Sequence, residues 1–176
     1  MIKRFLIVAI SFFFVLFFYA FCIEPNWLEV SKFQFTGNID STTKIVLISD
    51  LHLRDNPIIH GRILASLRAY QPDYIFIAGD TIDNDEQIPV VRDFFKQFPE
   101  TRGIYAVLGN WEHWSHSDSE NVFSSLGVKL LVNQSARLSN NITLYGFDDQ
   151  LAGAPARDLT SSMGALPDDF CISLFH

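Results

Sequence analysis

Five polar side chains that can bind metal ions each follow a short apolar run of the sequence. Two follow the first run, one the second, one the third and one ends the chain: Asp50, His52, Asp80, Asn110 and His176. Carboxylate, amide and imidazole donors suit divalent Mn, Fe or Zn better than a soft metal that prefers thiolates. A single carboxylate can also bridge two cations, as Asp80 is placed to do. The sequence therefore predicts a site for divalent metal ions.

Two glycines and a second aspartate support these candidates. Gly79 comes directly before Asp80, and Gly109 directly before Asn110. Glycine permits the tight backbone that brings the next side chain to the edge of a sheet. Asp83 follows in the same segment, GDTID. Each motif alone is compatible with an ordinary polar loop, and it is their occurrence in order after successive apolar runs that indicates a site.

The apolar runs and the segments between them predict the framework. IVLIS (45–49), YIFIA (74–78) and IYAVL (104–108) are typical of strands buried on both faces. Helical spacing of apolar residues is found at 58–70 and 88–98. Strands alternating with helices indicate an α/β fold with right-handed crossovers, in which ligands bind beyond the carboxyl ends of the strands. The candidate ligands lie at those ends.

The second half of the chain predicts a third helix and further strands. The helix at 117–127 has Ser117 and Glu120 spaced as a capping box and Gly127 as its stop. The strands are expected at VKLLV (128–132), ARL (136–138), ITLYGF (142–147) and FCISLF (170–175). Near the other end of the chain, 26–35 alternates loosely and is interpreted as a possible edge strand.

The N-terminus contains 19 residues without a charge, 5–23, preceded by Lys3 and Arg4. At about 1.5 Å per residue, this run is long enough to cross a hydrocarbon core of roughly 30 Å. A cleaved signal peptide is the alternative, but its apolar region would be shorter and would end in small residues. We expect a membrane anchor at 1–23 with the N-terminus in the cytoplasm, a linker at 24–43 and a domain at 44–176 outside it.

Composition excludes some classes of partner. The formal net charge of −7 disfavours nucleic acid, because a phosphate backbone requires a basic face. It does not exclude an anionic substrate, since bound cations dominate the local field. The two cysteines, Cys22 and Cys171, form no disulfide framework, and Cys171 is expected to be a small buried apolar residue.

Four motifs together resemble the calcineurin-like metallophosphoesterases: SDLHL (49–53), GDTID (79–83), GNWE (109–112) and the final LFH (174–176). The resemblance covers the chain from Lys44 onward. It is strongest to membrane-anchored bacterial members, some of which act as UDP-2,3-diacylglucosamine pyrophosphatases. It implies a sandwich of two mixed sheets flanked by helices.

The resemblance also implies a role for each candidate. Asp50 and His52 would bind a first metal, Asp80 would bridge both metals, and Asn110 and His176 would bind the second. Asp83 would support the site. In the mechanism so implied, a hydroxide held between two metals attacks phosphorus in line while the cations bind the phosphoryl oxygens.

The sequence departs from the family at two places. The sequence stops at His176, before a G-H-x-H motif whose histidines complete both metal shells, so we expect either a fragment or a truncated relative. The family motif is Gly-Asn-His-Asp/Glu, and in this sequence Trp111 occupies the position of its histidine. An indole N–H donates a hydrogen bond but transfers no proton at neutral pH. His113 is the candidate replacement acid, and a structural or substrate-contacting role is its alternative.

Two hypotheses about function follow. The first is a membrane-anchored hydrolase with two metals that cleaves a phosphodiester or pyrophosphate bond, with the anchor indicating a lipid-linked substrate. The second is a truncated, degenerate, non-catalytic relative tethered to the membrane. Trp111 and Trp114 are interpreted either as an apolar wall for substrate or as packing of their own loop. Asp148 and Asp149 follow a strand and could approach the site, but a turn is the simpler interpretation. His116 is interpreted as solvated.

Overall fold

The computed structural model describes the 176-residue chain except for residues 1, 40, 116–117, 139–140 and 157–168. In the described part, the α-helices are α1 (Ile2–Phe18), α2 (Pro57–Tyr70), α3 (Ile88–Phe95), α4 (Asn110–Trp114) and α5 (Ser119–Ser125). The strands are β1 (Ile45–Ile48), β2 (Tyr74–Ala78), β3 (Gly103–Val107), β4 (Val128–Leu130), β5 (Gln134–Arg137), β6 (Ile142–Gly146) and β7 (Phe170–Leu174). A π-helical turn (Tyr19–Ile23) and a 3₁₀ turn (Glu24–Asn26) continue α1, and another 3₁₀ turn (Asp85–Gln87) precedes α3.

The first sheet has four parallel strands in the order β1-β2-β3-β4. Helices α2, α3 and α5 connect these strands and pack on one face of the sheet. Leu67, Phe94 and Phe123 from the three helices share a core with Ile75 and Ile77 of β2. The predicted strand–helix alternation is therefore confirmed. Because each connection runs through a helix, these strands are parallel and the sheet is not mixed.

The second sheet has the order β5-β6-β7, with β5 antiparallel and β7 parallel to β6. Its buried face packs against the other face of the first sheet. Phe76, Tyr105 and Val107 of the first sheet share a core with Leu144 and Leu174 of the second. The predicted α/β sandwich of two sheets flanked by helices is confirmed.

Strand β2 is fully buried, whereas β1 is partly exposed. All five residues of β2 are buried, and its alternate side chains enter the helix-side core and the core between the sheets. In β1, however, Leu47 is 61% exposed. The expectation that β1 is buried on both faces is wrong, because among the described strands β1 pairs only with β2 and forms an edge.

The N-terminal helical segment, Ile2–Asn26, is long and apolar enough to span a membrane, although a signal sequence has the same character. None of its side chains is buried. The segment after it, expected as an edge strand, has no regular secondary structure, since none of the described strands pairs with it. Trp27, Phe33 and Phe35 are exposed there.

Two smaller expectations also have outcomes. Cys22 and Cys171 are free thiols, as predicted, but Cys171 is exposed and the prediction of a buried residue is wrong. Alternation along β7 places Cys171 on the outer face of the second sheet, opposite the buried Leu174. Ser117 of the expected capping box and His116 lie outside the described residues.

Candidate metal centre

The loops that follow β1 and β2 run side by side at the carboxyl edge of the first sheet. Their backbones are joined by hydrogen bonds from the N–H of His52 to the carbonyl of Asp80 (2.9 Å) and from Leu53 to Thr81 (3.1 Å). Parallel strands end at the same edge of a sheet, so motifs about 30 residues apart in sequence become neighbours. The two loops therefore present their polar side chains to one region.

Three of the predicted ligands adopt left-handed backbone conformations. Asp50, His52 and Asp80 have φ angles of 53°, 39° and 51°. This region is uncommon for residues with a side chain, although Asp and His enter it more readily than most. Such conformations cost of order 1–3 kcal/mol each and persist where surrounding contacts hold them. Here the loop–loop hydrogen bonds hold them and turn the three side chains toward one point.

Three predicted ligands lie within reach of one cation, and a fourth lies beside two of them. One ligand atom each from Asp50, His52 and Asp80 lies within 4.8 Å of the other two. The Nε2 atom of His176 lies 3.5 Å from Asp50 Oδ1 and 3.4 Å from Asp80 Oδ2. Two carboxylates and two imidazoles at these separations fit the donor set of a divalent transition metal.

Both histidines are oriented by a buried carboxylate. His52 Nδ1 lies 2.5 Å from Asp83 Oδ1, and His176 Nδ1 lies 3.2 Å from Asp149 Oδ2. With Nδ1–H donated to the carboxylate, Nε2 of each ring keeps its lone pair toward the cluster. Carboxylate partners of this kind are usual for metal-binding histidines. Asp83 therefore lies where a supporting residue is expected.

The charges around the cluster agree with this arrangement. Burial alone would raise the pKa of Asp83, but hydrogen bonds from His52, Gln87 and Arg54 outweigh it and lower that pKa. For His176, burial lowers the pKa, but the bond to Asp149 and the charges of nearby aspartates outweigh it and raise the pKa. The excess of carboxylate charge that favours the imidazolium also favours a bound cation.

Gly79 and Gly109 allow the loops after β2 and β3 to approach closely. A methyl group added at Gly79 would lie 2.7 Å from the Cα of Gly109 and 2.8 Å from His176 Cγ. A methyl group at Gly109 would overlap the carboxylate of Asp80. Gly79 also has a φ of 73°, which favours glycine. Neither position accommodates a side chain without movement of the site.

Comparison with known proteins identifies the family of this chain. The family model for calcineurin-like phosphoesterases matches residues 43–169. The chain belongs to the calcineurin-like phosphoesterase family. A search of curated proteins finds no match. Among solved structures, a phosphopantetheinyl hydrolase from Mycobacterium tuberculosis is similar, with 18% sequence identity and a TM-score of 0.45 over 66% of this chain. The chain spans 44% of the length of that protein.

Membership of the phosphoesterase family supports hydrolysis of a phosphoester with divalent metals at a general level. The role of each ligand remains a prediction. Asn110 is buried and begins α4, next to Gly109. The backbone N–H of the following residue, Trp111, donates to Asp80 Oδ1 at 2.9 Å. This bond brings the phosphoesterase motif GNWE against the proposed bridging carboxylate.

Sequence reasoning missed the role of Glu112, the last residue of that motif. Its buried carboxylate accepts hydrogen bonds from four backbone N–H groups, those of Asp80, Thr81, Ile82 and Gly109, at 2.6–2.9 Å. Three of these groups belong to the loop after β2 and one to the loop after β3. Glu112 is the third residue of α4, and its carboxylate reaches back to the N–H of the N-cap residue, which is half of a capping box. The spacing of three residues between Gly109 and Glu112 was the sequence signal for this role.

Trp111 occupies the position where the phosphoesterase motif has a histidine. Its ring is 39% exposed. It packs edge-on against the His52 imidazole, with centroids 6.0 Å apart, and also contacts the ring of Trp114 at 5.9 Å. The indole therefore lies directly beside a predicted metal ligand and keeps part of its face open to solvent.

His113, the candidate acid, is held by the loop that follows β6. Its Nε2 lies 2.8 Å from Asp148 Oδ1. The pKa of Asp148 is lowered, because hydrogen bonds from the N–H of Ala154, from His113 and from the N–H of Asp149 outweigh the effect of burial. Asp148 and Asp149 lie directly before a turn, and they also approach the site, since each contacts one of its histidines.

Proposed function

We propose that this chain hydrolyses a phosphodiester or pyrophosphate bond with two divalent cations held at the candidate metal centre. The convergence of Asp50, His52 and Asp80 at the carboxyl edge of the sheet is the observation that carries this proposal. Mn, Fe and Zn all accept such oxygen and nitrogen donors. When bound, the cations supply Lewis acidity and an activated water at neutral pH.

The proposed division of ligands follows the family pattern. Asp50 and His52 would hold one cation, His176 and Asn110 would hold the other, and Asp80 would be shared between them. Support for a shared role of Asp80 comes from its position, since its Oδ2 lies 3.9 Å from His52 Nε2 and 3.4 Å from His176 Nε2. Asp83 and Asp149 keep the two imidazoles in the orientation that binds metal.

Protonation of the leaving oxygen requires a side chain that can transfer a proton at neutral pH. Trp111 cannot do so, and His113 lies two residues after it. Its bond to Asp148 fixes the orientation of the ring. We retain His113 as the proposed acid, with substrate contact as its alternative role.

The apolar N-terminal helix supports a membrane location. We propose that the helix spans the cytoplasmic membrane with the N-terminus inside, since Lys3 and Arg4 precede it and Glu24 and Glu29 follow it. The catalytic domain then lies outside the cytoplasm, close to the lipid surface. A lipid-linked phosphoester, as in the UDP-2,3-diacylglucosamine pyrophosphatase type, is the proposed substrate class.

Hydrolysis of bis(p-nitrophenyl) phosphate by the full chain in detergent tests the proposal. We expect activity that depends on added Mn²⁺, that EDTA abolishes, and that falls by at least about a thousandfold in Asp80→Asn. Asp93→Asn is the matched control, because Asp93 is an exposed helix residue whose ion pair is with Lys96. Hydrolysis that persists in EDTA would contradict the proposal.

The replacement of the family histidine by Trp111 favours a second candidate, a non-catalytic membrane-tethered relative. This candidate predicts that the chain binds one cation weakly or none and hydrolyses no phosphoester. Metal titration separates the two, because two tightly bound cations per chain are incompatible with a degenerate site.

A further inference from the structure

An open groove of ≈ 450 Å³ lies beside the candidate metal centre. Its walls come from the loop after β1, from the loop and 3₁₀ turn after β2, and from α3 and α4. The volume is within the range of about 300–1,000 Å³ that is usual for small-molecule sites. The groove is thus large enough for the part of a substrate that extends away from the phosphorus.

Two of the lining residues also belong to the surroundings of the metal centre. Asp83 lines the groove and contacts His52 Nδ1 at 2.5 Å. Trp111 lines the groove, and its backbone N–H donates to Asp80 while its ring packs against His52. A substrate whose phosphoryl group lay at the metal centre would therefore place one of its ester substituents in this groove.

Trp111 forms an aromatic wall of the groove. Its ring is held on two sides, by the imidazole of His52 and by the ring of Trp114, and its position is therefore fixed before any ligand binds. A large aromatic ring that is 39% exposed and also fixed offers a stacking surface. Val90 of α3 adds an apolar contact to the same groove.

The charged residues of the groove disfavour an anion. One cation, Arg54, faces three carboxylates, those of Asp55, Asp83 and Glu86. The guanidinium of Arg54 is already paired with Asp83, at 3.1 Å. The exposed carboxylates of Asp55 and Glu86 remain to accept hydrogen bonds from a ligand. A group with N–H or O–H donors and no negative charge matches this lining, whereas a second phosphate does not.

We propose that the groove binds a planar ring that carries hydrogen-bond donors and no negative charge, and that this ring forms one substituent of the phosphoester substrate. The ring stacks on Trp111 and donates hydrogen bonds to Asp55 and Glu86. This assignment rests on the proposed function, because it places the ring on one side of the bond to be hydrolysed. It gives Trp111 a role in substrate specificity at a position where the family has an acid.

Tryptophan fluorescence tests the proposal directly. The chain has three tryptophans, Trp27, Trp111 and Trp114. In the double variant W27F/W114F, only Trp111 emits, and in W27F/W111F only Trp114 emits. We expect inosine, an uncharged ring with donors, to quench Trp111 saturably, whereas ribose has no effect. In the Trp114 reporter we expect inosine affinity to fall about 2- to 12-fold, since the stacking surface is reduced.

The charge of the ligand provides a second test of the proposal. Orotate, a planar ring with a carboxylate, is expected to bind more weakly than inosine to the Trp111 reporter. Adding D55N and E86Q to that reporter should strengthen orotate binding about fivefold. No saturable quenching by inosine, equal inosine affinity in both reporters, or orotate binding as tight as that of inosine would each overturn the proposal.

Metal binding is measured separately on the same proteins. A chain that binds Mn²⁺ but not inosine contradicts only the assignment of the groove. A chain that binds inosine but not Mn²⁺ contradicts the proposed function. Thermal melting of both reporters, with the melting temperature expected to match that of the wild type, confirms that the substitutions leave the fold intact.

Discussion

Replacing Glu112 by glutamine should destabilise the metal centre without changing any proposed ligand. The carboxylate accepts hydrogen bonds from four buried backbone N–H groups, two on each oxygen, at 2.6–2.9 Å. Glutamine keeps one carbonyl oxygen and so can accept two of the four. Its amide N–H₂ then faces the other two donors, which are left without an acceptor.

The expected magnitude follows from that count. Leaving a buried donor unsatisfied costs about 1–3 kcal/mol. Two such donors give a loss of about 2–6 kcal/mol, against a total stability of about 5–15 kcal/mol for a domain. The loss is concentrated where Glu112 joins the loop of Asp80 to that of Gly109. We therefore expect Mn²⁺ affinity to fall together with stability.

Urea unfolding of the full chain in detergent, followed by circular dichroism, measures the first effect, and calorimetric titration with Mn²⁺ measures the second. Glu100→Gln is the matched control, because Glu100 is exposed in a loop and its substitution should change stability by less than about 0.5 kcal/mol. If Glu112→Gln matched this control in both stability and Mn²⁺ affinity, the structural role assigned to Glu112 would be wrong.

Three other predictions address the site and its location. Asp83→Asn replaces the charged acceptor that orients His52 by a neutral amide, so Mn²⁺ affinity by calorimetry should fall about 10- to 100-fold. Asp85→Asn, on an exposed turn, is the unchanged control. Gly109→Ala should lower the melting temperature, because its methyl group meets a carboxylate, whereas Gly61→Ala, in a helix with no atom within 4 Å, should raise it. Phe14→Arg, in the middle of the uncharged run 5–23, should shift the chain from the membrane to the soluble fraction on centrifugation, since arginine there costs about 2.5–3.5 kcal/mol. A melting temperature that rises in Gly109→Ala or falls in Gly61→Ala, or an unchanged distribution of Phe14→Arg, would count against the corresponding assignments.

The strands and the residues at their ends were predictable from sequence for a physical reason. A strand buried on both faces requires a run of apolar residues, and YIFIA shows this directly. Parallel strands bring their carboxyl ends to one edge, so Asp50, His52 and Asp80 could be expected to meet without any coordinates. The same reasoning failed for β1, because an apolar run does not reveal whether a second layer covers it.

The contacts that orient the site could not be predicted, because they join distant parts of the chain. His113 contacts a carboxylate 35 positions away, and His176 contacts one 27 positions away. Neither pairing follows from spacing. The five-residue helix α4 was also missed, since one turn is too short for a helical pattern. Glu112 belongs to the motif GNWE, but its four hydrogen bonds depend on how the loop after β2 packs against the loop after β3, which the sequence does not show.

Calorimetric titration of the full chain with Mn²⁺ is the direct test of the metal centre. We expect saturable binding of Mn²⁺ that is lost in Asp80→Asn and unchanged in Asp93→Asn. Absence of binding in the wild type, or equal binding in wild type and Asp80→Asn, would contradict the assignment of Asp50, His52 and Asp80 as a metal centre.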